Sequence, residues 1–166
     1  KIEIIPTVFV TNSTLKSIGS PQGVDSLAMN MSQKLSQMIN KIDTTAFSIN
    51  EIQIDCDWSL ETQAKYFRLL KALKAPQRPW KKISATIRLH QVKYFTKTGV
   101  PPVDKGVLMF YNMGKVTEWE EQNSILNLET AKKYLYNFED YPLALDVALP
   151  IFAWGVQFRN ERLVQL

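Results

Sequence analysis

The sequence predicts an α/β protein, a partial (β/α)8 TIM-type barrel with about five β/α units of parallel strands. Three observations predict it. Segments rich in β-forming residues alternate with helically patterned ones along the chain, and strand–helix–strand repetition implies parallel strands joined by right-handed crossovers. Within the strands, polar and apolar residues alternate, and the polar ones gather toward the C-terminal ends, as in a barrel whose inner face carries the chemistry. No glycine-rich phosphate loop follows the first strand, which argues against a doubly wound nucleotide-binding sheet.

Residues 2–12, IEIIPTVFVTN, read as a strand over 3–11 that ends in a polar turn. Gly19, Pro21 and Gly23 punctuate the chain next. Val24, Leu27, Met31, Leu35, Met38, Ile39 and Ile42 then recur at helical spacing, with the methionines filling core space. Residues 49–59, INEIQIDCDWS, are a strand placed over 50–58. A helix follows over 62–75 with Tyr66, Leu69, Leu70 and Leu73 on one face, and Pro76 and Pro79 end it. Residues 83–91, ISATIRLHQ, are the next strand, and 94–104 are a loop carrying Gly99, Pro101 and Pro102. Residues 106–113, GVLMFYNM, form a strand that Gly114 closes. A long loop with Glu118, Trp119, Glu120 and Glu121 leads to a helix over 128–138. The fifth strand is 143–152, LALDVALPIF, with Trp154 and Gly155 beyond its end.

At 166 residues, 45% hydrophobic and 22% charged, the chain can bury a core as one domain over 1–166. Five units do not close an eight-stranded barrel. The expectation is a fragment lacking the first and last strands, or a chain whose open edges a partner chain covers. The chain opens at Lys1, with no methionine and no signal peptide, in keeping with a processed or trimmed piece. The net charge of +4 is scattered. Its densest cluster, Lys71, Lys74, Arg78, Lys81 and Lys82, reads as the basic face of a surface helix. No aromatic platform or recognition motif stands beside it, so no nucleic-acid partner is expected. Cys56 is the one cysteine and His90 the one histidine, which excludes an intrachain disulfide and a multi-histidine zinc site. No metal and no cofactor are expected. No apolar run reaches the roughly 18 residues of a membrane span.

The central motif is Gln53-Ile54-Asp55-Cys56-Asp57-Trp58-Ser59. Strand alternation puts Gln53, Asp55, Asp57 and Ser59 on one face and turns Ile54, Cys56 and Trp58 toward the helices. Two carboxylates two residues apart are costly unless paired or functional. Two readings fit: a proton-transfer pair in a cleft, where repulsion raises one pKa, or a structural ion pair with Arg88. On the next strand Ser84, Thr86, Arg88 and His90 alternate with Ile83, Ala85, Ile87 and Leu89. That brings Arg88 toward the carboxylates, Asp55 being its expected partner, and puts His90 nearer the strand end as a proton-exchanging group or a structural histidine. In Met109-Phe110-Tyr111-Asn112, Tyr111 shares a face with Met109 and can reach a ligand at the strand end, or pack in the core with a partnered hydroxyl. Trp119 and Trp154, in loops after strands, are candidates for stacking on sugar rings or for packing.

These motifs, in this order, resemble the chitinase-like family-18 glycoside hydrolases. Their fourth strand carries DxxDxDxE, against Ile52, Asp55, Asp57 and Ser59 here. Their sixth carries Met-x-Tyr-Asp, against Met109-Phe110-Tyr111-Asn112, and their seventh Gly-x-Pro-x-Tyr-Gly, echoed from Ala148 to Gly155. The resemblance spans strands 3–7. It implies a carbohydrate-active or carbohydrate-binding barrel with its site at the C-terminal strand ends, a saccharide ligand and an extracytoplasmic location. It implies Asp57, Asp55 and Tyr111 as catalytic residues and Arg88, His90, Asn112, Trp154 and Trp119 as substrate-binding ones. In the family the second Asp of the pair orients the substrate's acetamido group, which attacks the anomeric carbon while the Tyr assists. Asp57 and Tyr111 stand at those positions. The family's acid Glu is Ser59 here, which cannot donate a proton at a useful pKa. Three classes stay open: saccharide binding without cleavage, hydrolysis with a substitute acid (Asp57, His90 or Glu118), and a non-catalytic structural or interaction domain. The chain is also similar to a group of bacterial barrel proteins with an Asp-x-Asp-Trp strand and a Pro-Pro-Val-Asp loop, here Pro101-Pro102-Val103-Asp104.

Overall fold

The computed structural model describes residues 2–42, 45–76 and 78–165; Lys1 lies outside them. The chain runs β1 (Ile2–Glu3), β2 (Thr7–Phe9), α1 (Asn12–Ser17), α2 (Pro21–Ile39), β3 (Phe47–Ser48), β4 (Glu51–Asp55), α3 (Gln63–Leu73), β5 (Lys82–Arg88) and α4 (Leu89–Lys93). It continues with α5 (Phe95–Thr98), β6 (Lys105–Met109), α6 (Leu128–Lys132), a 3-10 turn (Leu135–Asn137), β7 (Leu145–Ala148), β8 (Gln157–Arg159) and β9 (Arg162–Gln165). Five strands form one sheet in the order β2-β4-β5-β6-β7, and every pair is parallel. Sequential parallel order with helical crossovers is the arrangement of an open, partial (β/α) barrel.

The pairing register shows how the pattern works. Ile54 lies beside Ala85, Ile87 beside Leu108, and Leu108 beside Val147. This apolar row faces the helices. Tyr66, Leu69, Leu70 and Leu73 of α3 meet it with no exposed surface, each large apolar side chain contributing about 1.5–3 kcal/mol by burial. Trp58 stacks on Tyr66 with ring centroids 5.0 Å apart, and Trp58 Nε1 donates to the Thr98 carbonyl at 3.1 Å. Outward positions of the Asp-x-Asp-Trp motif therefore tie strand, helix and loop together.

Several expected elements differ. The first strand breaks at Pro6, which has no N–H to donate to a ladder; Ile2–Glu3 pairs with Phe47–Ser48 instead. The β4 ladder ends at Asp55, so Asp57 and Ser59 lie in the segment beyond it. The strand expected over 83–91 stops at Arg88, and Leu89 begins a helix. Part of the loop expected over 94–104 is α5, and Gly99, at φ 70°, ends it in the left-handed region that glycine tolerates. Asp104 of that loop accepts the Ile83 N–H at 2.8 Å and pairs with Lys74 at 2.8 Å, so the Pro-Pro-Val-Asp stretch fastens the start of β5. The 128–138 helix is a single turn of α-helix followed by the 3-10 turn. In α2 the buried stripe is Val24, Ala28, Ser32 and Leu35, and Met38 is exposed. The short helix α1 and the β8–β9 hairpin had no sequence counterpart.

Candidate functional site

The inner face of the sheet is polar. Phe9 lies beside Asp55, Gln53 beside Ser84, Ser84 beside Lys105, and Arg88 beside Met109. At the N-terminal end, Lys105 bridges Glu51 at 3.2 Å and Asp146 at 2.6 Å. Midway, Gln53 Nε2 donates to Thr86 Oγ1 at 3.1 Å. Toward the C-terminal end come Asp55, Asp57 and Arg88, and beyond β6, Tyr111 and Asn112.

Arg88 holds Asp57, not Asp55. Its Nη2 donates to Asp57 Oδ2 at 2.8 Å and its Nε to Oδ1, a two-pronged pair. This corrects the expected Arg88–Asp55 pair. Asp57 lies beyond the ladder, one step further along the guanidinium's reach, whereas Asp55 is one pleat deeper. Asp55 is left half-buried, and its Oδ1 is closed from solvent without a hydrogen-bond partner. Burial raises its pKa above the ordinary aspartate range; the Arg88 charge and the Thr86 hydroxyl draw it back, and the Asp57 charge adds to the rise. Behind the sheet, burial and these two carboxylates push the Cys56 thiol up to about 12, so it is a packing group rather than a nucleophile.

The turn after β5 delivers two more groups. Gln91 is 1% exposed, and its Oε1 accepts the Arg88 N–H at 2.8 Å. That bond ends the strand and starts α4, so His90 sits on a helix rather than on the strand's inner row. His90 nevertheless reaches the same cleft. A cavity of about 120 Å³ is lined by Arg88, Leu89 and His90 on one side, Met109, Tyr111, Asn112 and Met113 on another, and Tyr134. Burial and the Arg88 charge hold the His90 imidazole below its ordinary pKa, so it is mostly neutral at pH 7. Burial and the Asp55 charge raise Tyr111, which keeps its phenol a donor. Asn112 adopts φ 55°, the left-handed conformation that Asn tolerates better than most residues, and it turns the chain out of β6 at the cavity wall.

An aromatic run leaves the cleft. Tyr111 meets Phe152 edge-on at 5.8 Å, and Phe152 meets Trp154 at 5.3 Å. Trp119 is placed elsewhere, edge-on against Phe158 of the hairpin at 5.2 Å. Glu118 pairs with Lys115 at 2.7 Å within its own loop. Ser59, at the position of the acid Glu in the resembling family, is taken up in a turn: its N–H donates to Thr62 Oγ1 at 3.0 Å, and Thr62 Oγ1 donates to Asn12 Oδ1 at 2.5 Å. The structure thus sets Arg88, His90, Tyr111 and Asn112 around the cavity, attaches Asp57 through its pair with Arg88 and brings Asp55 near enough to Arg88 and Tyr111 to interact with them electrostatically. It joins Trp154 through Phe152, and leaves Trp119 and Glu118 apart. Thr86, Gln91, Met113, Tyr134 and Phe152 were not singled out in the sequence. Thr86 had a signal in the period-two alternation of its strand, and Phe152 at the tyrosine position of the seventh-strand motif; the other three had none.

Among the described residues, no group of three His, Cys, Asp or Glu side chains is placed to hold a metal ion. Among them, too, no helix is long and apolar enough to cross a membrane. No protein-family model matches the chain, and no curated protein matches it in sequence. Among solved structures, the fold is similar to the spore cortex-lytic enzyme SleL of Bacillus cereus, with a TM-score of 0.57 and 17% identity. The match covers 86% of this chain and 34% of that one, so the chain spans about a third of its neighbour's length.

Proposed function

We propose that the cleft at the C-terminal strand ends holds a saccharide, in a carbohydrate-active barrel that lacks the usual catalytic Glu. The observation that carries the reading is the convergence there of a half-buried carboxyl (Asp55), a forked Asp57–Arg88 pair, and the Tyr111 phenol at the head of an exposed aromatic run. Carboxylates, a guanidinium and a phenol suit ring hydroxyls and amides, and aromatic faces suit the apolar face of a sugar ring. The fold likeness to a cortex-lytic enzyme supports a carbohydrate-active fold.

Hydrolysis is the second reading, and Asp55 favours it, because burial lets this carboxyl keep its proton to a higher pH than an ordinary aspartate, the direction a general acid needs. Of the acids read from sequence, Asp57 is engaged by Arg88 and Glu118 by Lys115. His90, its pKa lowered by burial and the Arg88 charge, is mostly the neutral imidazole at pH 7 and so is a poorer general acid than an imidazolium.

Calorimetric titration with N-acetylglucosamine oligomers, alongside gluco-, manno- and xylo-oligosaccharides, tests both readings when followed by chromatography of the products. Binding of one series without new products supports a holding role, and shortened products support hydrolysis. Absence of binding to every series, in protein that melts cooperatively, sinks the saccharide reading.

A further inference from the structure

The inner row of β4 and β5 carries a hydrogen-bonded pair, Gln53 and Thr86, beside Asp55. Gln53 lies beside Ser84 and Ile54 beside Ala85, so Asp55 and Thr86 are next across the ladder on the same inward face. Thr86 is 3% exposed, and its Oγ1 accepts the Gln53 Nε2–H at 3.1 Å. A threonine hydroxyl has one hydrogen. With its oxygen occupied from the Gln53 side, that hydrogen can turn toward the neighbouring carboxyl.

We propose that Gln53 and Thr86 are positioning residues for Asp55: the Gln53 carboxamide fixes the Thr86 hydroxyl, which delivers its hydrogen to one Asp55 oxygen and so sets the carboxyl's orientation in the cleft. The proposal rests on the reading of this cleft as the ligand site, but its test needs no ligand. The direction of the Thr86 influence agrees, since its hydroxyl lowers the Asp55 pKa against the larger effect of burial. Neither residue touches the ligand in this account. They hold the group that does, and the hydroxyl stabilises the carboxylate left when Asp55 gives up its proton.

The charged and titratable groups around Asp55 are Asp57 and Cys56 on its own segment, Arg88 from β5, Tyr111 beyond β6 and Tyr66 from α3. From β2 comes Phe9, with no charge. None of these groups is removed when Thr86 is changed, so the Asp55 titration reads the loss of the hydroxyl. The experiment follows the side-chain carboxyl carbon of Asp55 by NMR across the acid range in the wild-type chain, Thr86→Val and Thr86→Ser. The expected result is a midpoint moved to higher pH in Thr86→Val and left at the wild-type position in Thr86→Ser. Thr86→Ala, which removes the hydroxyl with less bulk, is read in the same way if the valine variant does not fold. A midpoint unmoved, or moved down, in the hydroxyl-free variant overturns the proposal, as does a serine variant that behaves like valine. Saccharide binding lost or kept by these variants bears on the cleft reading separately.

Discussion

The two aspartates of the central motif are chemically unequal, and burial is what separates them. Asp57 is half-exposed and answered by the Arg88 fork. An ion pair this open to solvent is worth little, so Asp57→Asn should lower stability by no more than about 1 kcal/mol in a denaturant titration. Asp55 is the group that folding strains. Its folded pKa is raised, so between the unfolded and folded values the native chain binds more protons than the unfolded one, and stability falls as pH rises through that window. Asp55→Asn removes this dependence. The variant should be at least as stable as wild type at pH 7, with its advantage shrinking as pH falls through the raised folded value toward the ordinary aspartate range and constant below it. Paired melts across pH check this, and a constant difference between the two proteins would contradict it. The sequence alone pointed the other way, toward Asp55 as the partner of Arg88, because strand alternation gives a side chain's face and not how far along the barrel axis a flexible arginine reaches.

At the scale of elements, alternation was a good guide in the strand interiors and a poor one at their ends. Ser84, Thr86 and Arg88 lie where period two puts them, but His90 does not, although the pattern continues through it. What stops the strand is Gln91, a buried side chain whose carbonyl oxygen takes the Arg88 N–H. Nothing in a string of residues separates that Gln from any other. Gln91→Ala leaves this N–H without its acceptor and should cost about 1–3 kcal/mol. Gln91→Glu keeps an acceptor oxygen and, at a pH low enough for the buried carboxyl to be neutral, should cost less. Chemical denaturation of the two variants measures the difference, and equal losses would mean that packing around residue 91, not the cap, holds the turn. The helix face of α3 was legible for the opposite reason: Tyr66, Leu69, Leu70 and Leu73 repeat at helical spacing, and burial depends only on that spacing. The β8–β9 hairpin was not legible, because Asn160 and Glu161 make its turn at φ 51° and 62° without the glycine that usually marks one.

The whole molecule is an α/β layer open at both sides. Phe9 on the inner face of β2 and Val147 on the outer face of β7 are exposed, as expected of edge strands in a barrel that these five strands do not close. The order and parallel sense of the strands followed from the β/α alternation, whereas the contents of the cleft depended on where loops and short helices bring Asn112, Met113 and Tyr134. On those placements rests the reading of the strand-end cleft as the saccharide site. The chain's five methionines supply the probe: Met109 and Met113 line the cavity, and Met29, Met31 and Met38 lie on α2. Titrating 13C-methyl-methionine-labelled protein with N-acetylglucosamine oligomers, and with whichever other series binds in calorimetry, gives five resolved reporters. Saturable shifts of the Met109 and Met113 methyls, with the three α2 methyls unmoved, are the predicted result. Binding that shifts the α2 methyls and leaves Met109 and Met113 unchanged would place the ligand elsewhere and contradict the account.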